Sequence, residues 1–314
     1  MNWDLDEEQQ AIKELTGQIL DSERATWEEL AKADLLGVCL PEQYGGSGHG
    51  IFELGLMLEE QGRAGVHLPL LPTLACAMAI AQFGTEQQKR DWLPKVVAGE
   101  VVLTAVLSDD PPYAPYARQA AAIFVGNNIY DASALDVVDV ETTSGEPQGL
   151  VTAHAAEAGA HSRANRWLLD RWTAGLCMLQ VGLCEQALHL TADYTAGREQ
   201  FGKPIATFQA VAQRAADAYI DTEAVRLTAY QAAWRLSQGL PAADELAVAK
   251  FWAADGGNRV MLAAQHLHGG IGVDMDYPLH TFTTWTKQIE LTLGSATPSL
   301  LRLGRSIAAT TANA

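Results

Sequence analysis

Apolar residues recur every three or four positions through the first hundred residues, which predicts helices with one buried face. Thr85 fits an N-cap, with Gln88 at the capping-box position three residues later. The glycine-rich run PEQYGGSG (41–48) predicts a turn between two helices. The helices predicted in this part of the chain cover about residues 5–20, 26–36, 52–65 and 70–83, and a fifth lies in GTEQQKRDWLPKVVAGE (84–100).

Residues 101–160 follow a different pattern, with short β-branched runs separated by Gly, Asn and Pro. The runs VVLTAVLS, AAIFVG, NNIYDA, LDVVDVET and QGLVTA predict five or six short strands. They form one small sheet between two helical blocks, which is too short to be a sizeable barrel by itself.

Helical periodicity returns after Ser162. The first long helix carries an apolar stripe from Leu169 to Leu190, and two more are predicted over residues 208–236 and 243–268. A last helix is predicted over about residues 298–308. Long helices with short connections favour an antiparallel bundle. The mainly α-helical chain therefore divides into three predicted segments, which are residues 1–105, 106–160 and 161–314.

Composition and charge narrow the function. Of 314 residues, 48% are hydrophobic and 19% are charged, as in globular proteins. The net charge of −17 disfavours nucleic acid as a partner, because phosphate backbones would be repelled. The acidic start lacks a secretory h-region, no apolar run is long enough for a membrane span, and four Cys show no C-x-x-C. We expect a cytoplasmic protein without disulfides.

A first candidate site is GREQFGKPIATFQ (197–209), where Arg198 and Lys203 flank a helix break ahead of a new helix N-terminus. A local cationic patch with free backbone N–H groups suits a phosphate or pyrophosphate. The alternative is an ordinary turn between helices with solvated charges.

A second candidate is QHLHGGIG (265–272). Glycines at a helix end usually form a C-cap, but they also allow a ligand to approach the backbone where no Cβ intervenes. His266 and His268 are two residues apart on different sides of the helix, and no third ligand is spaced for a metal, so we expect no metal site.

A third candidate is Asp170, followed by Arg171 and flanked by Trp167 and Trp172. A carboxylate on an apolar helix face has a raised pKa and suits a general base. The alternative is an Asp170–Arg171 ion pair without a catalytic role.

The order of these pieces resembles the acyl-CoA dehydrogenase family over nearly the whole chain. GVCLPEQYGGSG and GTEQQKRDWLPKVVAGE look like its N-terminal helical domain. REQFGKPIATFQ and QHLHGGIGVDMDYPLHTF look like its C-terminal four-helix domain. Together and in this order the motifs are specific to the family, whereas no single motif is.

The resemblance implies an FAD site shared between subunits. In that family the Arg of R-x-x-F-G and the Gln of F-Q contact the FAD pyrophosphate of the neighbouring subunit, and Q-x-x-x-G-G lines the adenine side. The positions that carry these roles here are Arg198, Phe201, Gln209, Gln265, Gly269 and Gly270.

Two departures from the family pattern set this chain apart. The middle β-domain is about half the usual length and residues 101–160 contain no Trp, so we expect the chain not to hold a flavin ring by itself. Leu293 stands where many members have the catalytic Glu, and Glu290 is three residues too early. Other members place the base on the first long C-terminal helix, in the register of Asp170-Arg171.

These losses are similar to those of one subset of the family. Some acyl-CoA dehydrogenases of actinobacterial steroid degradation are α2β2 heterotetramers with one full-length and one short subunit. The resemblance to the short subunit implies α,β-dehydrogenation of a steroid-CoA intermediate with FAD. It also implies a full-length partner that holds the flavin ring and the base, and an electron-transfer flavoprotein or similar acceptor. The alternatives are a homomeric enzyme that uses Asp170, and a non-catalytic structural partner.

Overall fold

The computed structural model describes residues 4–22, 25–108, 111–126, 128–152 and 163–312. The predicted boundary between residues 160 and 161 lies outside them. Ten α-helices lie in these ranges: α1 Glu7–Leu20, α2 Trp27–Lys32, α3 Ile51–Ala64, α4 Leu70–Phe83, α5 Glu86–Val97, α6 Arg163–Gly197, α7 Gln209–Ser237, α8 Ala243–His268, α9 Leu279–Leu291 and α10 Ala296–Ala312. The strands are β1 Leu103–Val106, β2 Tyr113–Pro115, β3 Ala122–Val125, β4 Asn128–Asp131, β5 Asp136–Val140, β6 Gln148–Thr152, β7 Glu199–Gln200 and β8 Lys203–Pro204.

The N-terminal helices begin where the sequence predicts. Thr85 accepts a hydrogen bond from the Gln88 backbone N–H, and the Gln88 side chain accepts one from the Thr85 N–H, which confirms the capping box. Helix α2 is shorter than predicted. Asp34 takes a left-handed backbone conformation with φ of 60°, so the chain leaves the helix after Lys32 and continues into a 3-10 turn.

Each of the five predicted runs between residues 101 and 153 contains a strand, and β2 is a sixth strand in the stretch that was predicted to separate two runs. The six strands form two sheets instead of one. In the first, β3 pairs with β1 in parallel and with β4 antiparallel. In the second, β6 lies between β2 and β5, antiparallel to both. The Thr104 hydroxyl donates to the Pro115 carbonyl at 2.6 Å and joins the two sheets. Strand β1 spans the predicted segment boundary at residue 105.

The three long helices form the core of the C-terminal bundle, within one residue of the predicted bounds for α7 and α8. Helices α6 and α8 touch at two levels, where the Gln180 side chain packs against Gly257 and the Tyr194 ring stacks on His268. The residue numbers rise together on both helices, so the two helices run in the same direction. The short connections before and after α7 make it antiparallel to both. Helix α9 was not predicted, and α10 extends beyond the predicted residues 298–308.

Helices α3 and α6 touch backbone to backbone. A Cβ at Gly62 would lie 2.2 Å from the Leu179 carbonyl oxygen, and one at Gly182 would lie 1.8 Å from the Glu59 carbonyl oxygen. Only glycine permits this approach. The contact holds the N-terminal helices against the bundle, because α3 is buried along nearly its whole length.

A buried carboxylate reinforces the same contact. Glu59, on α3, has no exposed surface and accepts hydrogen bonds from Lys13 on α1 at 2.9 Å and from Arg226 on α7 at 2.9 Å. The Tyr230 hydroxyl donates to its second oxygen at 2.6 Å. Since each charge is paired and hydrogen-bonded, the cluster avoids the cost of an isolated buried ion and links α1, α3 and α7.

Lys250, also fully buried, closes the C-terminal end of α9. Its ammonium donates to the carbonyl oxygens of Ile289 at 2.9 Å and Glu290 at 3.2 Å, which are among the last carbonyls of that helix. Burial lowers the pKa of Lys250 to about 8. Within the described residues, none of the helices has both the length and the apolar character needed to cross a bilayer.

We expect Gly182→Ala to lower the free energy of unfolding by about 3 kcal/mol or more, because the new methyl group overlaps a backbone oxygen that cannot move aside. Gly304→Ala on α10 is the matched control. Its Cβ meets nothing within 4 Å, so it should raise stability by about 0.5–1 kcal/mol. Urea unfolding measures both, and equal midpoints for the two variants would contradict the close helix contact.

The lowered pKa of Lys250 predicts a specific pH dependence. The unfolded chain binds the Lys250 proton up to pH near 10.5 and the folded chain only to about 8, so this group makes stability rise with pH between these values. The free energy of unfolding of the wild type relative to Lys250→Met should therefore increase by about 2 kcal/mol from pH 7 to pH 9.5. Lys32→Met, on the surface, should show no such change. If the free energies of unfolding of the wild type and Lys250→Met change in parallel with pH, the folded protein does not disfavour the charged form of Lys250.

Candidate functional site

Two of the sequence motifs come together at one end of the bundle. Helix α6 ends at Gly197 and α8 ends at His268, and the two helices run in the same direction. Helix α7 begins at this end too, because residues 198–208 connect it to α6. The structure thus places Arg198, Gln209 and Gly269 at the same end, although they are far apart in sequence.

A stack of aromatic rings holds the two motifs together. The rings of Tyr194 on α6 and His268 on α8 lie 4.6 Å apart and nearly parallel. The Tyr277 hydroxyl lies 3.0 Å from His268 Nε2, and His268 Nδ1 lies 2.8 Å from the Ala264 carbonyl oxygen. Burial lowers the pKa of His268, which favours the neutral ring. Gly269 follows this stack directly, and the Arg198 N–H donates to Tyr194 O at 2.8 Å.

Arg198 opens a tight hairpin. Strands β7 and β8 pair antiparallel, and both loop residues, Phe201 and Gly202, have positive φ, of 54° and 75°. That combination defines a type I′ turn, where a phenylalanine is strained. Phe201 is 93% exposed, and its ring meets the edge of the Phe208 ring at 6.2 Å between centroids, so burial offsets little of the strain. An exposed aromatic held in a strained turn is typical of a residue that contacts another molecule.

Most of the remaining residues of the predicted cofactor site expose backbone groups that neighbouring side chains do not cover. Gln209 is the first residue of α7, whose N-terminus has no side-chain cap. Gly269 has φ of 66°, and neither it nor Gly270 would place a Cβ within 4 Å of another residue. Gln265 is half-buried on the last turn of α8. A cation, an uncapped helix N-terminus and open glycines fit the pyrophosphate and adenine half of FAD.

A cavity of about 880 Å³ lies toward the other end of α6. Asp170 lines it, about 40 Å from Gly197 at a rise of 1.5 Å per residue. The second sheet contributes to its walls, together with α3, α4, α6, α9 and α10. Its apolar lining includes Leu71, Trp172, Leu176, Leu179 and Trp285.

Asp170 does not pair with Arg171, contrary to the alternative suggested by the sequence. The Arg171 guanidinium lies 3.5 Å from the centre of the Trp167 ring, and burial lowers its pKa to about 10. The Asp170 carboxylate is half-buried, and within the part of the chain that the structure describes it has no hydrogen-bond or ion-pair partner. Burial raises its pKa, partly offset by the positive charges of Arg166, Arg171 and Arg302. These are properties of a general base, which leaves the base hypothesis open.

The position at which many family members carry the catalytic Glu also lies at this cavity. Leu293 lines it, in a strained conformation with φ of 60°. Glu290 does not line it, because its carboxylate pairs with Lys287 on the same helix. Two further acids, Glu141 and Glu146, line the cavity, and burial raises the pKa of the Glu146 carboxyl to about 7.

Several residues that shape these sites were not predicted from the sequence. Glu59 and Gln61 stand in the run EEQG of α3, a helix that is otherwise rich in leucine. Three consecutive polar residues in a helix with buried faces all round were the available signal. Lys250 and Glu146 carried no local signal, because their roles depend on partners about 40 and 30 residues away.

The comparisons with known proteins identify the family. The acyl-CoA dehydrogenase N-terminal domain matches residues 6–100, and the acyl-CoA dehydrogenase C-terminal domain matches residues 163–308. Acyl-CoA dehydrogenase FadE27 of Mycobacterium tuberculosis is 34% identical, over 92% of this chain and 90% of its own length. FadE28 of the same organism is 31% identical, over 97% and 98%.

Solved structures agree as well. A variant of the Tcur3481-Tcur3483 steroid ACAD is 38% identical with a TM-score of 0.89, over 98% of this chain and 99% of that one. The ChsE4-ChsE5 complex from Mycobacterium tuberculosis is 31% identical with the same TM-score and coverage. Butyryl-CoA dehydrogenase from Megasphaera elsdenii, at 22% identity and a TM-score of 0.86, shares the fold. The chain belongs to the acyl-CoA dehydrogenase family, flavin-dependent oxidoreductases that use FAD and act on CH–CH bonds.

Proposed function

We propose that this chain is one subunit of a heteromeric FAD-dependent acyl-CoA dehydrogenase. It contributes its FAD tail-binding face to a full-length partner subunit, which holds the flavin ring and the base. The observation that carries the proposal is the exposure of Arg198, Phe201 and the Gly269–Gly270 backbone at one end of the bundle, about 27 Å along α6 from Leu179, the nearest residue of that helix that lines the chain's own cavity. Residues so placed serve a neighbouring molecule and not the cavity of their own chain.

Each residue of that face has a physical role toward the dinucleotide. The Arg198 guanidinium binds a pyrophosphate oxygen with a charge-assisted hydrogen bond, and the first N–H groups of α7 add donors beside Gln209. Gly269 and Gly270 let the adenine side approach the backbone, and Gln265 supplies an amide beside them. FAD, when bound, accepts the hydride from the substrate β-carbon. The net charge of −17 makes this local cation essential, because the protein's overall field repels an anionic cofactor.

The substrate we propose is a bulky CoA thioester of the steroid type, dehydrogenated between its α and β carbons, as in steroid and cholesterol catabolism. The support is similarity at 38% identity to a protein that is named a steroid ACAD. Two of the similar structures, Tcur3481-Tcur3483 and ChsE4-ChsE5, are named as pairs of different chains, which supports an α2β2 heterotetramer. An electron-transfer flavoprotein or similar acceptor would reoxidise the flavin.

A second candidate function is a self-sufficient homomeric dehydrogenase in which Asp170 is the base. The observation in its favour is the half-buried Asp170 carboxylate, which lines the cavity and has a pKa raised by burial. Against it stands Leu293, since the cavity is apolar where many members carry the catalytic Glu. A chain that binds no flavin and only stabilises its partner is the third possibility, and flavin analysis of the complex separates it from the other two.

Arg198→Ala in the complex with a co-expressed full-length homologue should weaken FAD binding roughly 10- to 100-fold, because a charge-assisted hydrogen bond of about 1.5–3 kcal/mol is lost. Flavin absorbance after dialysis and FAD titration of the apo-complex measure it. Arg118→Ala is the control, since this exposed arginine pairs with Asp139 at the edge of the second sheet. Unchanged flavin content in Arg198→Ala would show that Arg198 does not bind the FAD pyrophosphate.

Asp170→Asn separates the first two functions. If the partner subunit supplies the base, turnover by the complex should stay within a few-fold of the wild type. If Asp170 is the base, turnover should fall by at least 100-fold at unchanged flavin content, because the amide cannot accept the α-proton. Reduction of the flavin by substrate in a single turnover measures the step directly.

A further inference from the structure

One side chain contacts both ends of the glycine-rich loop at the proposed FAD face. This glycine loop covers residues 269–276, begins directly after His268 at the end of α8 and ends directly before Tyr277. Tyr194 on α6 meets both flanking residues. Its ring stacks on His268 at 4.6 Å and meets Tyr277 edge to face at 6.5 Å between centroids. Three aromatic side chains therefore hold the glycine loop at its two ends.

The glycine loop has little packing of its own. Its residues are exposed except Gly272, where a Cβ would lie 3.0 Å from His268 Cβ. Gly269 has φ of 66° and ψ of −141°, a conformation that only glycine adopts without strain. Two consecutive glycines also leave the backbone wide conformational freedom. The position of Gly269 and Gly270 therefore depends on the contacts at the ends of the loop.

His268 is the fixed point of these contacts. It is 3% exposed, and its Nδ1 lies 2.8 Å from the Ala264 carbonyl oxygen, which can only accept a hydrogen bond. In the neutral ring Nδ1 therefore carries the hydrogen, and Nε2 accepts from the Tyr277 hydroxyl at 3.0 Å. Because both nitrogens are bonded and Tyr194 covers one face, the ring cannot turn without losing a contact.

Tyr194 also carries the cationic side of the face. Its carbonyl oxygen accepts the Arg198 N–H at 2.8 Å, and the Arg198 carbonyl oxygen accepts the Ile205 N–H at 2.8 Å, which closes the hairpin. The backbone of Tyr194 thus holds the residue proposed for the pyrophosphate, while its ring holds the loop proposed for the adenine side. A site whose two halves are fixed before the ligand arrives binds more tightly, because less freedom is lost on binding.

We propose that Tyr194 is a positioning residue for the FAD tail, which acts through His268 and the glycine loop and does not itself touch the dinucleotide. This role rests on the proposed function of the chain, because it concerns the same face. It requires an aromatic ring at position 194 but not the tyrosine hydroxyl, since the contact with His268 is made between the two rings.

Tyr194→Leu, in the complex with the full-length homologue, should weaken FAD binding roughly 3- to 10-fold, the contribution of one aromatic pair. Tyr194→Phe keeps the ring and should bind FAD within about two-fold of the wild type. Calorimetric titration of the apo-complex with FAD measures both. Equal affinities of the wild type and Tyr194→Leu, or an equal loss in the two variants, would overturn the proposal.

Phe83→Leu is the matched control. The Phe83 ring meets Trp167 edge to face at 5.5 Å, near the opposite end of α6. Both leucine variants remove one aromatic contact of this helix, so a loss of FAD caused by general destabilisation would occur in both. FAD affinity should stay unchanged in Phe83→Leu. An equal loss in Phe83→Leu and Tyr194→Leu would show that Tyr194 has no positioning role.

Gly269→Ala tests the route by which Tyr194 acts. Alanine is strained in the conformation of Gly269, so this change displaces the glycine loop and weakens FAD binding. If Tyr194 acts through the same loop, the double variant should bind FAD at least about 3-fold more tightly than the product of the two single effects predicts. Single effects that simply multiply would refute the proposed route.

Tyr277→Phe decides the matter if Tyr194→Leu does not assemble. It removes the hydroxyl that His268 Nε2 accepts and should weaken FAD binding roughly 2- to 10-fold. Tyr44→Phe, which loses a hydroxyl bonded to Glu86 at 3.1 Å, should leave FAD binding unchanged. Equal affinities of Tyr277→Phe and Tyr44→Phe would overturn the role of the aromatic contacts.

Arg198→Ala, measured on the same preparations, separates this inference from the proposed function. If Arg198→Ala leaves FAD affinity unchanged, the proposed function is wrong and the positioning role is lost with it. If Arg198→Ala weakens FAD binding and Tyr194→Leu does not, the proposed function stands and only the positioning role is refuted.

Discussion

The backbone contact between α3 and α6 is the constraint on which the rest of the structure depends. Gly62 and Gly182 allow the two helices to meet without side chains between them, and the buried Glu59 beside them binds Lys13 and Arg226. This joins the N-terminal helices to the bundle. The same stretch of α3 contributes to the cavity, because Gln61, two residues after Glu59, lines it.

Helix α6 then separates two sites along its length. Its N-terminal half lines the cavity with Asp170 and Trp172, and its C-terminal end leads into Arg198. Arg198 lies about 27 Å along α6 from Leu179, the nearest residue of that helix in the cavity. This separation supports the proposal of a subunit that lends a binding face to its neighbour.

Much of the fold follows from local patterns in the sequence. Periodicity predicts α7 and α8 to within a residue, because long amphipathic helices repeat the same signal many times. Helix α9 was missed because its thirteen residues follow a glycine-rich stretch and include four threonines, which weaken the helical signal. The two sheets could not be distinguished from one, since pairing between short strands is decided by contacts outside each strand.

The candidate sites, too, could be predicted only in part from the sequence. The motif around Arg198 and the glycines after α8 could be recognised locally, and the fold brings them to one end. The Asp170–Arg171 ion pair was a wrong alternative, because Arg171 stacks on Trp167 four residues away instead of turning to its neighbour. The contacts of Tyr194 were not predictable, since they depend on which rings the fold places beside it.

The central claim is that this chain binds the tail of an FAD whose reactive ring lies in a partner subunit. Native mass spectrometry with flavin quantitation, on the chain alone and co-expressed with a full-length homologue, tests it most directly. The account predicts a colourless chain alone and a yellow complex of two chains of each kind. A chain that is yellow by itself, or a complex without flavin, would contradict it.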